Sequence, residues 1–252
     1  MKKPLLTTIL TAMTIYGLTF VNCFHFSMAQ TGTQVSGIIS QETTWTEANS
    51  PYIVTGPTAV NKGATLTIEA GAKVNLNGYY LQVNGTLIAR GTTTELIRFN
   101  GGQIQFTQES VGWNQTTDSG SIITYAIISG VITITSSSPM ISDSSLTSSI
   151  GSNSYPIEIA GGSPIISGNY FYSAEYGDNY GRLQATNTGI FVNGNPLITD
   201  NDFSGGPIII VGGSPLIQRN HFEGGSNNLE VNLTSSYSNP TVQNNTFTFC
   251  RN

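Results

Sequence analysis

Short segments in which aliphatic residues alternate with polar ones recur through the second half of the chain. Alternation of this kind predicts β-strands with one buried face. The alternating pairs are Ile132 and Ile134, Ile157 and Ile159, Ile190 and Val192, Ile208 and Ile210, and Val231 and Leu233. A turn follows each pair, often glycine- or asparagine-rich, and a second short strand comes next. No helical periodicity is visible after residue 29, so the sequence predicts strands and turns alone.

A proline-centred unit occurs five times and sets the period of the chain. Its prolines are spaced 25, 32, 19 and 25 residues apart, at Pro139, Pro164, Pro196, Pro215 and Pro240. Periods of about 20 to 50 residues are typical of solenoids and related arrays. A strand–turn–strand–turn unit without a helix predicts a parallel β-helix, in which each unit contributes one coil.

Alignment on these prolines produces two columns of equivalent residues. One column consists of Ser144, Asn169, Asn201, Asn220 and Asn245. The other consists of Leu146, Phe171, Phe203, Phe222 and Phe247. Neighbouring strands lie about 4.8 Å apart, so stacked coils bring equivalent side chains into contact. The asparagines can then form an amide ladder, and the phenylalanines can stack in the core. We interpret both columns as structural.

The first half of the chain has a related pattern. Residues 59–106 alternate around positions such as Leu66 and Ile68, with glycines at the turns, and we assign them to the first coils. Residues 30–58 are expected to cover the open end of the first coil, because a solenoid end exposes unpaired strand edges. The predicted organisation is a cap segment at 30–58 followed by one β-helix at 59–252.

The tandem unit Pro-x-Ile-x-x-Asn-x-Phe resembles the parallel β-helix repeats of the pectin-lyase-like superfamily, especially the carbohydrate-associated repeats of envelope proteins. The resemblance covers about residues 55–250. It implies an all-β, single-stranded, right-handed parallel β-helix with three short sheets and about eight coils. It also implies a function connected with carbohydrate, although one fold supports many activities.

The N-terminus has the features of a secretory leader. Lys2 and Lys3 precede a mostly apolar segment, and Ser27-Met28-Ala29 places small residues at the −3 and −1 positions. Residues 1–29 are therefore predicted to be a signal peptide, cleaved before Gln30. An uncleaved membrane anchor is the alternative. The cleaved protein is expected to be secreted or held at the cell surface, without membrane association.

Composition narrows the expected partners. Only 9% of the residues are charged. Without the leader the chain keeps seven of its nine basic residues and all 14 acidic ones, so its net charge is −7. An acidic, sparsely charged surface argues against nucleic acid as a partner and is compatible with neutral glycans. One histidine and one cysteine remain, too few for a copper or zinc site, and no metal or cofactor is predicted.

Two charged pairs lie in neighbouring coils of the repeat alignment. Asp202 is aligned with His221, and Asp200 is aligned with Arg219. A carboxylate beside an imidazole can act as an acid–base pair. Opposite charges on neighbouring strands are also ordinary sheet stabilisation. These four residues are the candidates for catalysis, and the structural interpretation is favoured.

An insertion at residues 172–188 produces the spacing of 32. Irregular loops on a rigid scaffold commonly carry function. The predicted ligand-contacting residues here are Tyr172, Tyr176, Asp178, Tyr180 and Arg182, which offer flat aromatic faces and charged groups. Trp113, in the loop at 107–120, is a further candidate for stacking on a sugar, with packing against the coil wall as the alternative.

These features favour a protein that binds polysaccharide or envelope glycan, or serves as an adhesion scaffold, without catalysis. A polysaccharide lyase or glycoside hydrolase is the alternative, and adhesion to a regular surface such as ice is a third. An enzyme is expected to bring three or more acidic or basic side chains together in a groove beside residues 172–188. A binder is expected to present aromatic faces there. Few residues follow Phe247, so end-to-end self-association through the last coil is also expected.

Overall fold

The computed structural model describes residues 32–148, 154–172, 189–224, 229–232 and 238–248, which contain 24 β-strands. In chain order they are β1 (Thr33–Ile39), β2 (Thr43–Trp45), β3 (Tyr52–Val60), β4 (Thr65–Ile68), β5 (Lys73–Asn75), β6 (Tyr80–Val83), β7 (Thr86–Arg90), β8 (Ile97–Phe106), β9 (Ile122–Thr124), β10 (Ala126–Thr135), β11 (Met140–Ser142), β12 (Ser145–Thr147), β13 (Ile157–Ala160), β14 (Ile165–Ser167), β15 (Tyr170–Phe171), β16 (Ile190–Asn193), β17 (Leu197–Thr199), β18 (Asp202–Ser204), β19 (Ile208–Gly212), β20 (Leu216–Gln218), β21 (His221–Glu223), β22 (Leu229–Val231), β23 (Thr241–Gln243) and β24 (Thr246–Thr248).

The strands form two long sheets, and every pairing between two of the strands is parallel. Sheet 1 has 15 strands and sheet 2 has nine. No helix is present among the described residues, so none there is long and apolar enough to cross a membrane. The predicted all-β class is confirmed, and the long parallel sheets are consistent with a β-helix.

Three parallel ladders run along the stack. Sheet 2 is one ladder, from β2 to β23. Sheet 1 contains the other two, because its long strands pass through both. One of these ladders continues through β12, β15, β18, β21 and β24, and the other through β13, β16, β19 and β22. In β10 the two parts are separated by a register shift between Ser129 and Val131. Each repeat therefore contributes a strand to each of three faces.

The interior consists of columns of apolar side chains in register. In sheet 2 the middle residue of each short strand points inward, and these isoleucines are fully buried: Ile123, Ile141, Ile166, Ile198 and Ile217. In sheet 1 one inward column passes through Tyr52, Val74, Phe99, Ile128, Leu146, Phe171, Phe203, Phe222 and Phe247. The alternation seen in the sequence is the alternation between these columns and the outer surface.

The segment predicted as a cap contributes strands of its own. β1 occupies the terminal position of sheet 1, and β2 occupies that of sheet 2. Trp45 is buried and stacks on Tyr52, with ring centroids 4.8 Å apart and planes 12° apart. Trp45, opposite Ile68 in sheet 2, and Tyr52, opposite Val74 in sheet 1, are therefore members of the inward columns near that end. The domain boundary near residue 58 remains a prediction.

A single residue in the left-handed conformation links sheet 2 to sheet 1 in five successive coils. These corner residues have φ angles between 49° and 66° and are Asp143, Gly168, Asp200, Arg219 and Asn244. This conformation costs a non-glycine L-residue about 1 kcal/mol, and aspartate and asparagine tolerate it best. The residue that follows each corner belongs to the serine–asparagine column. The corner therefore sets the direction in which the chain enters the ladder of sheet 1 that runs through β12, β15, β18, β21 and β24. The candidate site lies on this ladder.

Candidate functional site

An amide ladder lies beneath the candidate site and fixes the spacing of its strands. Nδ2 of each asparagine donates to Oδ1 of the next, over 3.0 Å from Asn169 to Asn201, 2.9 Å from Asn201 to Asn220, and 3.0 Å from Asn220 to Asn245. The same Oδ1 atoms accept backbone N–H groups at 2.9 to 3.0 Å. Each of Asn169, Asn201 and Asn220 is 1% exposed. Such buried amides are tolerated because their hydrogen bonds are made.

The phenylalanine column adds a second repeating contact. The rings of Phe171, Phe203, Phe222 and Phe247 stack with centroids 4.6, 4.8 and 4.9 Å apart and with planes within 10° of parallel. Each phenylalanine points inward, so the residues on either side of it point outward. Those outward positions carry the side chains of the candidate site, one strand above another.

A groove of about 270 Å³ lies on the outer face of β15, β18 and β21. It is lined by Tyr170, Asp202, Phe203, Ser204, His221 and Glu223. The ring of Tyr170 stacks on that of Tyr172, with centroids 5.6 Å apart and planes 9° apart. Tyr170 keeps 46% of its surface exposed. The groove thus combines an aromatic face with two carboxylates and an imidazole.

His221 stands between two partners on neighbouring strands. Its Nδ1 lies 3.2 Å from Oδ1 of Asp202, and its Nε2 lies 2.8 Å from Oγ1 of Thr248. Asp202 is directly opposite His221 in the register of β18 and β21. The side chains of His221 and Asp202 are 41% and 64% exposed. Both groups can therefore contact a ligand in the groove.

The second charged pair lies at the corner instead. Arg219 donates through Nε and Nη2 to the two carboxylate oxygens of Asp200, each at 2.8 Å. Its Nη2 also lies 2.8 Å from Oγ1 of Thr199. The hydrogen bonds from Arg219, and then from Thr199, hold the pKa of Asp200 below its ordinary value. Asp200 and Arg219 are not among the residues that line the groove, so the four catalytic candidates separate into two pairs.

Trp113 lies against sheet 2, because its contacts are with Arg90 at the end of β7 and with Ser138 just before β11. The guanidinium of Arg90, at the end of β7, lies 5.1 Å above the centre of its ring and also forms an ion pair with Asp118 at 3.1 Å. The backbone N–H of Trp113 donates to the carbonyl of Ser138 at 2.8 Å. One face of the indole is occupied by a cation, and Trp113 does not line the groove.

Four of the predicted ligand-contacting residues lie outside the described residues, namely Tyr176, Asp178, Tyr180 and Arg182. The fifth, Tyr172, is the last described residue before that gap and stacks beside the groove. Within the described residues, no three histidine, cysteine, aspartate or glutamate side chains are grouped so that they could hold a metal ion.

Sequence reasoning missed four residues of the site: Tyr170, Ser204, Glu223 and Thr248. A usable signal was present in the phenylalanine column, since the positions directly before and after each phenylalanine must point outward. Those positions are occupied by Tyr170 and Tyr172, Asp202 and Ser204, His221 and Glu223, and Thr246 and Thr248.

No protein-family model matches the chain, and neither a curated protein nor a solved structure shows significant similarity to it. The kind of protein is therefore defined by its geometry alone. It is a protein of stacked parallel β-strands with an aromatic, acidic groove on one outer face.

Proposed function

We propose that the protein is a secreted or cell-surface right-handed β-helix of the pectin-lyase-like kind, with about eight coils, that binds a glycan in the groove on β15, β18 and β21. The stacked pair of Tyr170 and Tyr172 beside Asp202, His221 and Glu223 carries this proposal. Ligand-binding sites in proteins commonly combine apolar or aromatic surface with a few polar groups that fix orientation.

The chemistry of the groove suits a sugar. A tyrosine ring offers an apolar face for the C–H groups of a pyranose and a hydroxyl for its oxygens. Carboxylates accept hydrogen bonds from sugar hydroxyls, and an imidazole can donate or accept. The rings of Tyr170 and Tyr172 are stacked with nearly parallel planes, and Tyr170 remains 46% exposed, so an aromatic surface is available beside the polar groups.

The charge of the groove favours a neutral glycan. Asp202 and Glu223 line it, whereas the nearby cation Arg219 is held by Asp200 at the corner. A polyuronate would place its carboxylates against those of the protein, and like charges in contact weaken binding. The expected ligand is therefore a neutral polysaccharide or envelope glycan, and not an acidic one.

A second candidate function is cleavage of the polysaccharide by a hydrolase or lyase. It is favoured by the convergence of Asp202, His221 and Glu223, three titratable groups in one groove beside Tyr172. A hydrolase needs two suitably placed carboxyl groups. A lyase of the resembling family relies on a cation near the uronate, and none lines the described groove. Hydrolysis is therefore the better form of this alternative.

A glycan array followed by titration calorimetry on each hit tests the binding proposal. We expect neutral glycans to bind, and the double variant Tyr170→Ala/Tyr172→Ala to bind about tenfold or more weakly. Tyr79→Ala is the matched control, because Tyr79 is an exposed tyrosine outside the groove. The absence of any hit, or equal affinity in the groove variant, would overturn the proposal. Product analysis on each hit distinguishes binding from cleavage.

End-to-end self-association is proposed as well. At the last described strands, inward columns become exposed: Val231 is 48%, Val242 40% and Phe247 49% exposed. An apolar strand edge of this kind favours pairing with another strand. Light scattering is expected to show mass increasing with concentration, and Phe247→Asp is expected to restore the monomer. A constant monomer mass in the unmodified protein at high concentration contradicts this proposal.

A further inference from the structure

His221 connects hydrogen-bonding groups on three consecutive strands of sheet 1. Asp202 on β18 contacts one ring nitrogen, at 3.2 Å, and Thr248 on β24 contacts the other, at 2.8 Å. The register of the ladder fixes this order, because Asp202 is opposite His221, and Thr248 is two residues beyond the partner of His221 on β24. A carboxylate, an imidazole and an alcohol are thus joined in series.

This order has a defined chemical consequence. The carboxylate of Asp202 at Nδ1 favours the tautomer in which Nδ1 carries the proton. Nε2 then presents its lone pair to the hydroxyl of Thr248, as a general base requires. Catalytic triads are recognised by this geometry and these roles, and they occur on unrelated folds.

We propose that Asp202, His221 and Thr248 form a hydrolytic triad that cleaves carboxylic esters, with O-acyl groups on a glycan as the substrate class. Thr248 is the nucleophile, His221 is the general base and acid, and Asp202 is a positioning residue. The identity of the acylated molecule rests on the proposed glycan function, whereas the ester chemistry rests on the triad alone.

The reaction balances with water as the only co-substrate. Nε2 of His221 accepts the proton of Thr248 as Oγ1 attacks the ester carbonyl. The tetrahedral intermediate collapses, the C–O bond to the sugar breaks, and His221 returns the proton to the departing sugar hydroxyl. Water then attacks the acyl-threonine with His221 as base, which releases the carboxylic acid and restores the hydroxyl of Thr248.

A backbone donor lies beside the nucleophile. The N–H of Thr246 donates to Asn220, and the carbonyl of Thr248 accepts from Gly224, so the amides of both residues face β21. In a strand the amide between them must face the opposite edge. The N–H of Phe247 therefore points to an edge that no strand of the described sheet covers, where it can donate to the developing oxyanion.

The site is open to a substrate. The side chain of His221 is 41% exposed and that of Asp202 is 64% exposed, and both line the groove together with Tyr170. A sugar stacked on Tyr170 can therefore bring a substituent toward His221, within the same groove.

Hydrolysis of p-nitrophenyl acetate and of acetylated xylan by the full chain tests the proposal. We expect turnover in the unmodified protein, a fall of at least about a hundredfold in Thr248→Val, and retained turnover in Thr248→Ser. Thr246→Val is the matched control, because Thr246 lies on the same strand and its side chain has no part in the triad. Circular dichroism and thermal melting establish that each variant is folded.

Two further measurements separate the triad from a merely structural contact. A fluorophosphonate probe is expected to label Thr248, as located by peptide mass mapping, and not to label Thr248→Val. Asp202→Asn is expected to lower the turnover number and to change the shape of its pH profile, because the tautomer of His221 is no longer fixed.

The outcomes distinguish this inference from the binding proposal. Ester hydrolysis without affinity for any glycan would retain the triad and remove the glycan as its substrate. Glycan binding by a folded protein that neither hydrolyses the esters nor reacts with the probe would overturn the triad. Equal rates in Thr248→Val and the unmodified protein would overturn it as well.

Discussion

The side-chain nitrogen of Asn201 lies 2.9 Å from the side-chain oxygen of Asn220, and both residues are 1% exposed. Oδ1 of Asn201 also accepts the backbone N–H and the side-chain amide of Asn169, at 2.9 and 3.0 Å. One side chain in this column therefore satisfies donors on the strand before it and an acceptor on the strand after it. Its removal affects three coils at once.

Asn201→Ala is expected to lower the free energy of unfolding by about 2 to 4 kcal/mol, because it leaves buried donors of Asn169 without an acceptor. Asn100→Ala is the control, since Asn100 donates to Asn75 at 3.0 Å in an exposed pair of the same chemical type. We expect the control to change stability by less than about 0.5 kcal/mol. Urea unfolding measures both, and equal losses would mean that burial of the ladder does not determine its contribution.

The phenylalanine stack permits a comparison within one column. Phe203 is buried between Phe171 and Phe222, with centroids at 4.6 and 4.8 Å. Phe203→Ala is expected to cost about 3 to 5 kcal/mol through lost burial and a cavity. Phe247→Ala, at the half-exposed end of the same stack, is expected to cost much less. Similar losses of stability from the two substitutions would contradict the structure, in which Phe203 is buried and Phe247 is half-exposed.

Alanine substitutions at Gly213 and Gly205 distinguish the backbone strain of a positive φ angle from the steric overlap of an added Cβ. Both have positive φ angles, 85° and 79°, so alanine is strained at either position. A Cβ at Gly213 would lie 1.9 Å from the carbonyl oxygen of Gly194, whereas a Cβ at Gly205 meets nothing within 4 Å. We expect Gly205→Ala to cost about 1 kcal/mol and Gly213→Ala to cost at least twice as much, because the neighbouring coil must shift. Thermal melts of the two variants check this, and equal melting temperatures would contradict it.

The repeat alignment predicted those parts of the molecule that follow from a constant period. It placed Asp202 opposite His221 and aligned the asparagine and phenylalanine columns, and the strands have that register. Each residue of the asparagine and phenylalanine columns occupies a position where only a few residue types fit, and Asp202 and His221 were aligned because they directly precede phenylalanines of that column. A residue that fills the core, or that tolerates the corner conformation, leaves a recurrent signal in the sequence.

The outward side chains leave no such signal. Glu223 and Thr248 belong to common surface residue types, and their proximity to His221 follows from the register and from side-chain direction, not from their identity. The N-terminal strands were missed for a related reason: β1, β2 and β3 pair in parallel like the rest, but residues 32–58 lack the proline-centred unit. The position of Trp113 depends on its contacts with Arg90 and Ser138, which are distant from it in the sequence.

The corner pair of Asp200 and Arg219 is expected to make stability depend on pH. The pKa of Asp200 is lowered from its ordinary value of 3.8, chiefly by the hydrogen bonds from Arg219 and then from Thr199. The folded state then binds fewer protons than the unfolded state in the acidic range, so stability rises with pH there. The contribution is complete above about pH 4 to 5 and is lost as the pH falls through the lowered pKa of the folded protein.

Asp200→Asn isolates this charge, because asparagine has the same shape and tolerates the left-handed corner. We expect the unmodified protein to melt at a higher temperature than Asp200→Asn at pH 7, and the difference to shrink as the pH falls through the lowered pKa of Asp200. The difference is expected to be small and to shrink in about 1 M salt, because both side chains are half-exposed. In an Arg219→Asn background the substitution is expected to have little effect at either pH. A difference that does not shrink as the pH falls would show that the carboxylate charge of Asp200, and therefore its ion pair with Arg219, does not cause it.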